Sequence, residues 1–348
     1  MKVAIAGGGW YGCHIASSLK SQDFEVCLME KNQHLFSEAS GNNQFRLHQG
    51  LHYARSAQTR YQSRDGYHRF VERYPRLSRS VENNIYLVPK ATSLIDFDTY
   101  FSIMLSSGIA IEKVPLASIP GIATQHFEGA IRCEERVVLT DQSRSYFGQR
   151  LNGIVQLGRE VERVESRPEG VWIDGERFDH FIDATWGALR PGGEALDVYY
   201  EPTLLLYYRL RGSAATTTDF PAVTLVDGAL WSIYPTETPR LYTLSSVTHT
   251  PLGRYTSKAA AYARLASVES ETVAHKRHEM EAEVMPYLPS FGELFEFAGP
   301  QFAIKTKPCG LSDNRACGVR FEGRSISVQS GKIDNIFFAN ERILGQLL

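Results

Sequence analysis

Residues 2–12 read Lys-Val-Ala-Ile-Ala-Gly-Gly-Gly-Trp-Tyr-Gly, and this stretch decides the fold. Its apolar start, residues 2–6, predicts a buried strand, and residues 10–21 predict a helix that begins directly after the glycines. Between them lies a G-x-G-x-x-G pattern made by Gly7, Gly9 and Gly12. In such a pattern the first glycine permits a tight turn, the second lets the backbone approach a pyrophosphate, and the third lets the helix pack on the strand. The helix N-terminus, whose N–H groups and dipole favour anions, is therefore a predicted phosphate site.

The next predicted strand, residues 24–30, ends in an acidic side chain, Glu30. A carboxylate at this place accepts hydrogen bonds from ribose hydroxyls and repels a 2′-phosphate, so NADP is disfavoured. Strand, helix and acid together predict a βαβ unit that binds a dinucleotide. The alternative is a glycine-rich turn that binds no ligand.

Three further segments favour FAD as the dinucleotide. The polar stretch 37–44, Ser-Glu-Ala-Ser-Gly-Asn-Asn-Gln, offers several hydrogen-bond donors and acceptors to a ribityl chain. The run 181–187, Phe-Ile-Asp-Ala-Thr-Trp-Gly, predicts a strand that ends where the backbone can approach the dinucleotide a second time. Residues 330–334, Ser-Gly-Lys-Ile-Asp, form a turn that opens towards a last strand and helix.

The order of these segments resembles the FAD-dependent D-amino-acid oxidase/glycine oxidase superfamily. The similarity is strongest from Val3 to Glu30 together with Ser40, and it extends to Ala184-Thr185-Trp186-Gly187, which carries an inserted Trp. The segments Ser232-Ile233-Tyr234-Pro235 and Lys305-Thr306-Lys307-Pro308 are similar to the family's substrate-domain hairpin and to the stretch before its C-terminal flavin contact. The family usually carries a Gly-His-Gly-type stretch before its last helix, and this chain departs from it with Ser330-Gly331-Lys332.

The resemblance implies FAD as the cofactor, with Val161 against the adenine and Lys332 on the flavin side. A lysine there stabilises negative charge on reduced flavin, and the alternative is a solvated turn lysine. No metal site is predicted. The predicted cofactor-binding residues are Gly7, Gly9, Trp10, Tyr11, Gly12, Glu30, Lys31, Ser40, Asn43, Gln44, Val161, Ala184, Thr185, Gly187, Ser330, Gly331, Lys332 and Ile333.

We predict an α/β protein in which a Rossmann-like FAD/NAD(P)-binding domain carries an inserted, β-rich α+β substrate-binding domain. Because the FAD segments are far apart in sequence, the FAD-binding domain is predicted to be discontinuous, with residues 1–80, 128–198 and 300–348. The substrate-binding domain then has residues 81–127 and 199–299. Residues 257–283, which are rich in Ala and Glu and lack Pro and Gly, predict the longest helix.

Residues 44–55 pass the flavin ring in the family that the chain resembles, and they contain His48 and His52. Their even separation puts both histidines on one face, so either is a candidate base, a hydrogen-bond donor to substrate or a covalent flavin link, with local packing as the alternative. Arg46 is a candidate clamp for a substrate carboxylate, and a salt bridge is its alternative. The predicted catalytic residues are Arg46, His48, His52, Tyr53 and Tyr234.

The charges of the chain nearly cancel. Lys and Arg number 37 against 39 Asp and Glu, a net charge of −2, which gives no global reason to bind nucleic acid or a membrane. Eight arginines between residues 40 and 79 nevertheless form a basic arm, which indicates either a solvated helix face or an anionic small-molecule substrate. Five cysteines without a C-x-x-C pair indicate free thiols and a cytoplasmic location.

The resemblance also implies an activity, that of an FAD-dependent amine or amino-acid oxidase or dehydrogenase. Such an enzyme oxidises a C–N or C–O bond next to a polar or anionic group by hydride transfer to flavin. Two alternatives stay open. One is a flavin monooxygenase or halogenase-like enzyme, which shares the N-terminal loop, and the other is a non-catalytic FAD-binding protein, which the atypical C-terminal turn permits.

Overall fold

The computed structural model describes residues 1–189, 198–212, 219–228, 230–310, 315–329 and 331–348. Its strands are, in chain order, β1 (Lys2–Ala6), β2 (Glu25–Glu30), β3 (Arg46–Leu47), β4 (Ser78–Val81), β5 (Asn84–Pro89), β6 (Ile111–Val114), β7 (Phe127–Cys133), β8 (Glu135–Val138), β9 (Val155–Leu157), β10 (Glu165–Arg167), β11 (Gly170–Ile173), β12 (Glu176–Phe178), β13 (His180–Asp183), β14 (Val198–Leu210), β15 (Ala222–Leu225), β16 (Trp231–Pro235), β17 (Leu241–Ser246), β18 (Phe295–Pro308), β19 (Gly318–Glu322) and β20 (Ser325–Gln329).

The helices of the same residues are α1 (Trp10–Lys20), α2 (Ala57–Arg73), α3 (Phe97–Ser106), α4 (Thr140–Arg150), α5 (Lys258–Ala266), α6 (Ser270–Val284), α7 (Phe291–Leu294) and α8 (Ile336–Leu347). Short 3₁₀ turns lie at Leu116–Ser118, Thr124–His126 and Ile333–Asn335. Among the residues described, no helix combines the length and apolar character needed to cross a membrane.

The first sheet has the strand order β19-β20-β13-β1-β2-β9, and its neighbours run parallel except for β19 and β20. Alternate residues of β1 face opposite sides. Val3 and Ile5 pack in one core with α1 and α8, whereas Ala4 and Ala6 pack in another with the small sheet β10-β11-β12. Burial on both faces is typical of parallel sheets, and it explains why residues 2–6 do not alternate with polar residues.

The second sheet has the order β18-β14-β17-β16-β15-β5-β7-β6 and is antiparallel except between β15 and β5. On one face Leu204 and Leu206 share an apolar core with Met280 of α6. On the opposite face Tyr86 packs with Met104 of α3. A second small sheet, β3-β8-β4, places Arg46 in register with Val137 of β8.

At two predicted domain boundaries, residues assigned to the FAD-binding domain lie in strands of the second sheet. Residues 128–133 lie in β7 and residues 300–308 in β18, and both strands belong to the eight-stranded sheet. Because β18 pairs with β14 along its length, the chain returns to the first sheet only at β19. The predicted helix 257–283 was wrong as one unit, since the Ser267 hydroxyl bonds back to the carbonyl of Arg264 (2.9 Å) where α5 ends.

The C-terminal segment returns to the first part of the chain through a contact between backbones. A Cβ added to Gly66, in the middle of α2, would lie 1.7 Å from the carbonyl oxygen of Asp334. In the same turn, Asn335 donates a hydrogen bond to the side-chain oxygen of Gln62 (2.8 Å). Only glycine lets the helix and the turn approach this closely, so α2 and the turn before α8 are held together as one wall.

We predict that Gly66→Ala lowers the free energy of unfolding by about 1–3 kcal/mol, because two backbones must separate to admit the methyl group. Gly148→Ala is the matched control, since Gly148 also lies inside a helix but its Cβ would meet nothing within 4 Å. There we expect no loss, or a gain of up to about 1 kcal/mol from helix propensity. Urea unfolding of both variants measures the difference, and equal effects would contradict the account.

Candidate functional site

A cavity of about 1100 Å³ runs along the carboxyl ends of β1, β2 and β13 and continues beneath β16 and β18. Ala6, Glu30 and Asp183 line it on the side of the first sheet, and Trp231 and Lys305 line it on the side of the second. The carboxyl edge of a doubly wound parallel sheet is where ligands bind. The cavity is also larger than the ~300–1,000 Å³ of pockets for drug-sized ligands, so it suits a dinucleotide and a small substrate together.

The predicted glycine loop borders this cavity through close contacts. Gly7 has φ +105°, and a Cβ on it would lie 2.7 Å from the carbonyl oxygen of Ala184. A Cβ on Gly9 would lie 2.6 Å from the hydroxyl of Ser40. Gly12 is away from the cavity, where its Cβ would meet the carbonyl oxygen of Gly7 at 1.9 Å. Each glycine therefore has the steric role that the pattern predicts, and that of Gly12 is helix packing.

Two predicted residues at the end of β2 are tied to the protein. The Glu30 carboxylate, which lines the cavity, accepts the N–H of Gly8 (2.7 Å) and that of Asn32 (2.8 Å). The Lys31 ammonium donates to Tyr262 of α5 (2.8 Å) and pairs with Glu38 (2.8 Å). Burial alone would lower the pKa of Lys31, but these two partners outweigh it and raise the pKa. Lys31 therefore joins the glycine-loop side of the cavity to α5.

The polar loop after β2 is fastened in the same way. Ser40 accepts the N–H of Trp10 (3.1 Å), and the amide of Asn43 donates to carbonyls of its own loop. Gln44 donates to the hydroxyl of Thr243 (3.3 Å) in the second sheet. The three predicted residues of this loop, Ser40, Asn43 and Gln44, all line the cavity, but these groups of their side chains already bond the protein.

The segment after β13 forms the facing wall of the cavity. The Asp183 carboxylate accepts both the N–H (2.8 Å) and the hydroxyl (2.6 Å) of Thr185, and burial raises the pKa of Asp183 to about 6. Gly187 has φ +76° and accepts the hydroxyl of Tyr200 at its carbonyl. Val161 is buried beside this segment, and these residues line the cavity together with Ala184.

The C-terminal turn meets the start of α1 at the cavity. The Tyr11 hydroxyl donates to the carbonyl of Lys332 (2.6 Å) and accepts the N–H of Gly331 (3.2 Å). All three residues and Ile333 line the cavity, while the predicted Ser330 lies outside the described residues. A backbone turn therefore takes the place of the family's usual Gly-His-Gly-type stretch.

Arg46 does not offer its guanidinium to the cavity. It forms a buried ion pair with Glu135 (2.9 Å) and donates to the hydroxyls of Thr224 (2.8 Å) and Tyr86 (3.2 Å). A further N–H points at the Nε2 of His52 (3.2 Å). With its N–H groups used inside the protein, Arg46 fits the salt-bridge alternative, and the predicted carboxylate clamp does not fit this geometry.

The same network occupies both ring nitrogens of His52. Because Arg46 can only donate, the His52 Nε2 accepts, and the proton lies on Nδ1, which points at the hydroxyl of Tyr86 (3.1 Å). Tyr86 in turn donates to Glu135 (2.5 Å). Burial and then the charge of Arg46 lower the pKa of His52, so it stays neutral. The roles predicted for His52 as a base or a covalent flavin link do not fit, because neither nitrogen is available.

Tyr234 is buried below Arg46, whose guanidinium carbon lies 4.1 Å from the ring centroid. Its hydroxyl donates to the carbonyl of Arg136 (3.2 Å), and the residue does not line the cavity, so the predicted catalytic role does not fit. Tyr53 does line the cavity, and the Lys332 ammonium lies 5.3 Å from its ring centroid. Tyr53 is thus an aromatic wall residue beside a cation.

His48 is the predicted catalytic residue that brings an open nitrogen to the cavity. Its Nδ1 accepts the N–H of Gly50 (3.2 Å) and lies 3.3 Å from a carboxylate oxygen of Asp334. Its Nε2 has no hydrogen-bond partner within the part of the chain that the structure describes, and the residue lines the cavity. Burial, followed by the charges of Lys332 and Arg46, lowers the pKa of His48.

Three lysines of the cavity wall, Lys258, Lys305 and Lys332, have neither a hydrogen bond nor an ion pair to the described residues. Lys258 lies in α5 near the charges of Lys31 and Glu38, whereas Lys305 and Lys332 lie at the second sheet and the C-terminal turn. Burial and then the charge of Lys332 lower the pKa of Lys305 to about 8. Burial and then the charge of Arg315 lower the pKa of Lys332 to about 8 as well. Lys307 differs, because Glu201 is its ion-pair partner.

The predicted basic arm, by contrast, mostly serves the fold. Arg60 donates to the carbonyl of Tyr53 (2.8 Å), and Arg69 pairs with Glu341. Of the eight arginines, all of them described, only Arg46 and Arg55 line the cavity.

Sequence reasoning missed Lys305 and Asp334 as site residues and gave no hint of Glu135. Lys305 and Lys307 are two residues apart in a strand, and this spacing indicates that both side chains lie on the same face of the sheet. Asp334 stands in the quoted turn at 330–334, but nothing local shows that it meets His48.

Comparison with known proteins decides the family. A family model described as FAD dependent oxidoreductase matches residues 2–299. The chain belongs to the FAD dependent oxidoreductase family. The predicted family, fold class and cofactor are thereby confirmed, and FAD is the cofactor of this oxidoreductase.

The relatives of this FAD-dependent oxidoreductase differ in their names. The FAD-dependent monooxygenase FPY4 of Fusarium mangiferae is 52% identical over 342 residues, which cover 98% of this chain and 90% of that protein. Glycine oxidase of Geobacillus kaustophilus has a TM-score of 0.71 at 17% identity, covering 98% of this chain and 93% of the other. L-proline dehydrogenase of P. horikoshii has a TM-score of 0.73 at 13% identity, covering 99% and 93%. The two solved structures show the shared fold.

The cavity of this FAD-dependent oxidoreductase fits its cofactor. Gly9 caps α1 without a side-chain hydrogen bond. Ser40 takes the N–H of Trp10, and the next N–H groups of the helix N-terminus would bind the pyrophosphate. The fixed Glu30 carboxylate is placed for the ribose, and Val161 is placed for the adenine. Lys332, in the C-terminal turn, would lie on the flavin side, whereas Thr185 lies against Gly7 of the glycine loop.

We predict that Arg46→Met lowers the free energy of unfolding by about 3–5 kcal/mol, because Glu135 is left as a buried charge without its partner. Arg132→Met is the matched control, since its ion pair with Glu112 (2.8 Å) is exposed and is worth less than about 1 kcal/mol. Denaturant unfolding of the two variants measures this. A stable Arg46→Met variant that only loses affinity for carboxylates would restore the clamp.

Proposed function

We propose that this FAD-dependent oxidoreductase oxidises a C–N or C–O bond of a small anionic molecule by hydride transfer. The observation that carries the proposal is the pair of cavity-wall ammonium groups, Lys305 and Lys332, which have no carboxylate partner among the described residues. A buried cation is costly unless an anion balances it. Their depressed pKa values express that cost, and a bound anion removes it.

The remaining residues of the site suit this chemistry. Bound FAD supplies the two-electron acceptor for the hydride. Lys305 and Lys332 would orient the anionic group, while Tyr53 and Trp231 form aromatic walls that exclude water. His48 carries the open nitrogen that would take the proton of the substrate's N–H or O–H group.

A panel of amino acids, amines and hydroxy acids tests the proposal. Added anaerobically to the FAD-loaded protein, an anionic member with an oxidisable C–N or C–O bond is expected to bleach the flavin absorbance without NAD(P)H. Bleaching that requires NAD(P)H with every member of the panel would contradict it.

Monooxygenation is the second candidate function. The name of the 52% identical relative, an FAD-dependent monooxygenase, favours it. Turnover under ¹⁸O₂ separates the two candidates. Hydride removal puts no ¹⁸O from dioxygen into the organic product, whereas monooxygenation puts in one atom.

We predict that Lys305→Met weakens binding of small carboxylates at least about tenfold, the equivalent of losing one charge-assisted hydrogen bond. Perturbation of the flavin spectrum by acetate, glycolate and benzoate measures their binding, and the corresponding amides are expected to change less than about twofold. Lys90→Met, which removes an exposed lysine that bonds the carbonyl of Gln125, is the matched control.

The same binding should depend on pH. Because the pKa of each ammonium is lowered to about 8, both are charged below that pH and lose the proton above it. Carboxylate affinity is therefore expected to stay constant from pH 6 to 7 and to fall as the pH rises through about 8. Affinity that rises with pH over this range would contradict the assignment.

A further inference from the structure

His48 reaches from the cavity to a buried carboxyl group. Its Nε2 is on the cavity side, while its Nδ1 lies 3.3 Å from Oδ2 of Asp334, which has 0% exposure. That oxygen has no hydrogen-bond partner with suitable geometry among the described residues. A buried carboxyl oxygen that lies 3.3 Å from an imidazole nitrogen and has no other partner among the described residues is close enough to exchange a proton with it.

The carboxyl group of Asp334 is held in place by the contact between α2 and the turn before α8. Its other oxygen, Oδ1, accepts the hydroxyl of Ser63 (3.1 Å), and its backbone carbonyl is pressed against Gly66. Neither α2 nor the turn can move away without breaking the contact between Gly66 and the Asp334 carbonyl. The distance between Asp334 and His48 is therefore imposed by the fold.

Several charged and titratable groups surround the pair. The ring of His52 lies 5.2 Å and that of Tyr53 5.8 Å from the ring of His48, centroid to centroid. The other facing groups are Lys332, Arg46 and Glu135. Burial, as the main cause, raises the pKa of Asp334 and lowers that of His48. The buried surroundings thus disfavour an imidazolium at His48 together with a carboxylate at Asp334. The two groups therefore titrate as a coupled pair.

We propose that His48 and Asp334 act as one proton acceptor in the oxidation, with His48 as the catalytic residue and Asp334 as its positioning residue. This rests on the proposed function, which releases one proton from the substrate's N–H or O–H group for each hydride that leaves its carbon. In the accepting state, Nδ1–H of His48 donates to ionised Asp334 and Nε2 is unprotonated.

The proton balance of the step is complete. As the substrate's X–H bond breaks, its proton would bind Nε2 and the Nδ1 proton would move to Oδ2 of Asp334. Bound FAD would supply the acceptor for the hydride. The substrate gains a C=X bond, and the pair changes from a net charge of −1 to neutral. The step therefore removes the buried charge of Asp334 and leaves no imidazolium in its place.

The resting state is the neutral form of the pair. The N–H of Gly50 points at Nδ1 (3.2 Å), which requires an unprotonated Nδ1 and therefore a proton on Asp334 and on Nε2. The accepting state is reached when the pair loses one proton, so its population rises with pH. His52 cannot replace His48, because Arg46 and Tyr86 occupy its nitrogens.

Nitrogen-15 NMR of the FAD-loaded protein with labelled histidine tests the pair without a substrate. In the wild type we expect His48 as the neutral Nε2–H tautomer at pH 7 and one transition to the Nδ1–H tautomer at higher pH. In Asp334→Asn the amide cannot ionise, so this transition is lost. Asp65→Asn, an exposed change on the same helix as Ser63, should leave it intact.

Ser63→Ala provides a second variant in case Asp334→Asn folds poorly. The Ser63 hydroxyl stabilises ionised Asp334 and lowers its pKa, so removing it should move the transition upward by roughly 0.4–1 pH units. A His48 that becomes an imidazolium near its ordinary pKa of about 6.5, alike in the wild type and in Asp334→Asn, would overturn the proposal. The substrate panel tests the proposed function separately, since the NMR titration needs no turnover.

Discussion

The backbone contact between α2 and the turn before α8 is the constraint on which the site depends. Gly66 permits it, and the Tyr11 hydroxyl ties the same turn to the start of α1. These contacts bring Lys332 and Asp334 of the C-terminal segment to one end of the cavity that begins at the glycine loop. The cofactor-binding end and the chemical end are therefore set by the same return of the chain.

Charge is distributed unevenly along the cavity. Glu30 and Asp183 stand at the ends of parallel strands, whereas Lys305 and Lys332 stand where the second sheet and the C-terminal turn meet. Lys31, Arg46 and Lys307 lie at the same walls but carry protein carboxylates as partners. Of the cations left for a ligand, Lys332 and its neighbour Lys305 lie towards His48 and its open nitrogen, whereas Lys258 lies towards Glu38 and Asp183.

Local sequence patterns were sufficient for the cofactor side. The glycine loop and the strand that ends at Glu30 were each predicted from residues that are neighbours in sequence, and both are present in the structure. The substrate side depends on distant pairs. Thr224 bonds Arg46 from 178 positions further along the chain, so no spacing near residue 46 could show that its guanidinium is already occupied.

The same limit explains the other differences. A basic arm and an aromatic strand look alike in sequence whether their side chains meet a substrate or the protein, and Tyr234 and Arg60 meet the protein. The membership of residues 300–308 in the second sheet has a related reason. The end of β18 belongs to the second sheet because it pairs with β14, which lies about a hundred residues earlier in the chain.

A crystal structure of the FAD-bound protein with a small carboxylate in the cavity tests the central claim most directly. The account predicts the flavin ring in the part of the cavity lined by Tyr53 and Lys332, with the carboxylate within hydrogen-bond distance of Lys305 or Lys332. It also predicts that the Nε2 of His48 faces that ligand while Nδ1 stays on Asp334. A flavin ring at the opposite end, or a carboxylate bound away from both lysines, would contradict it.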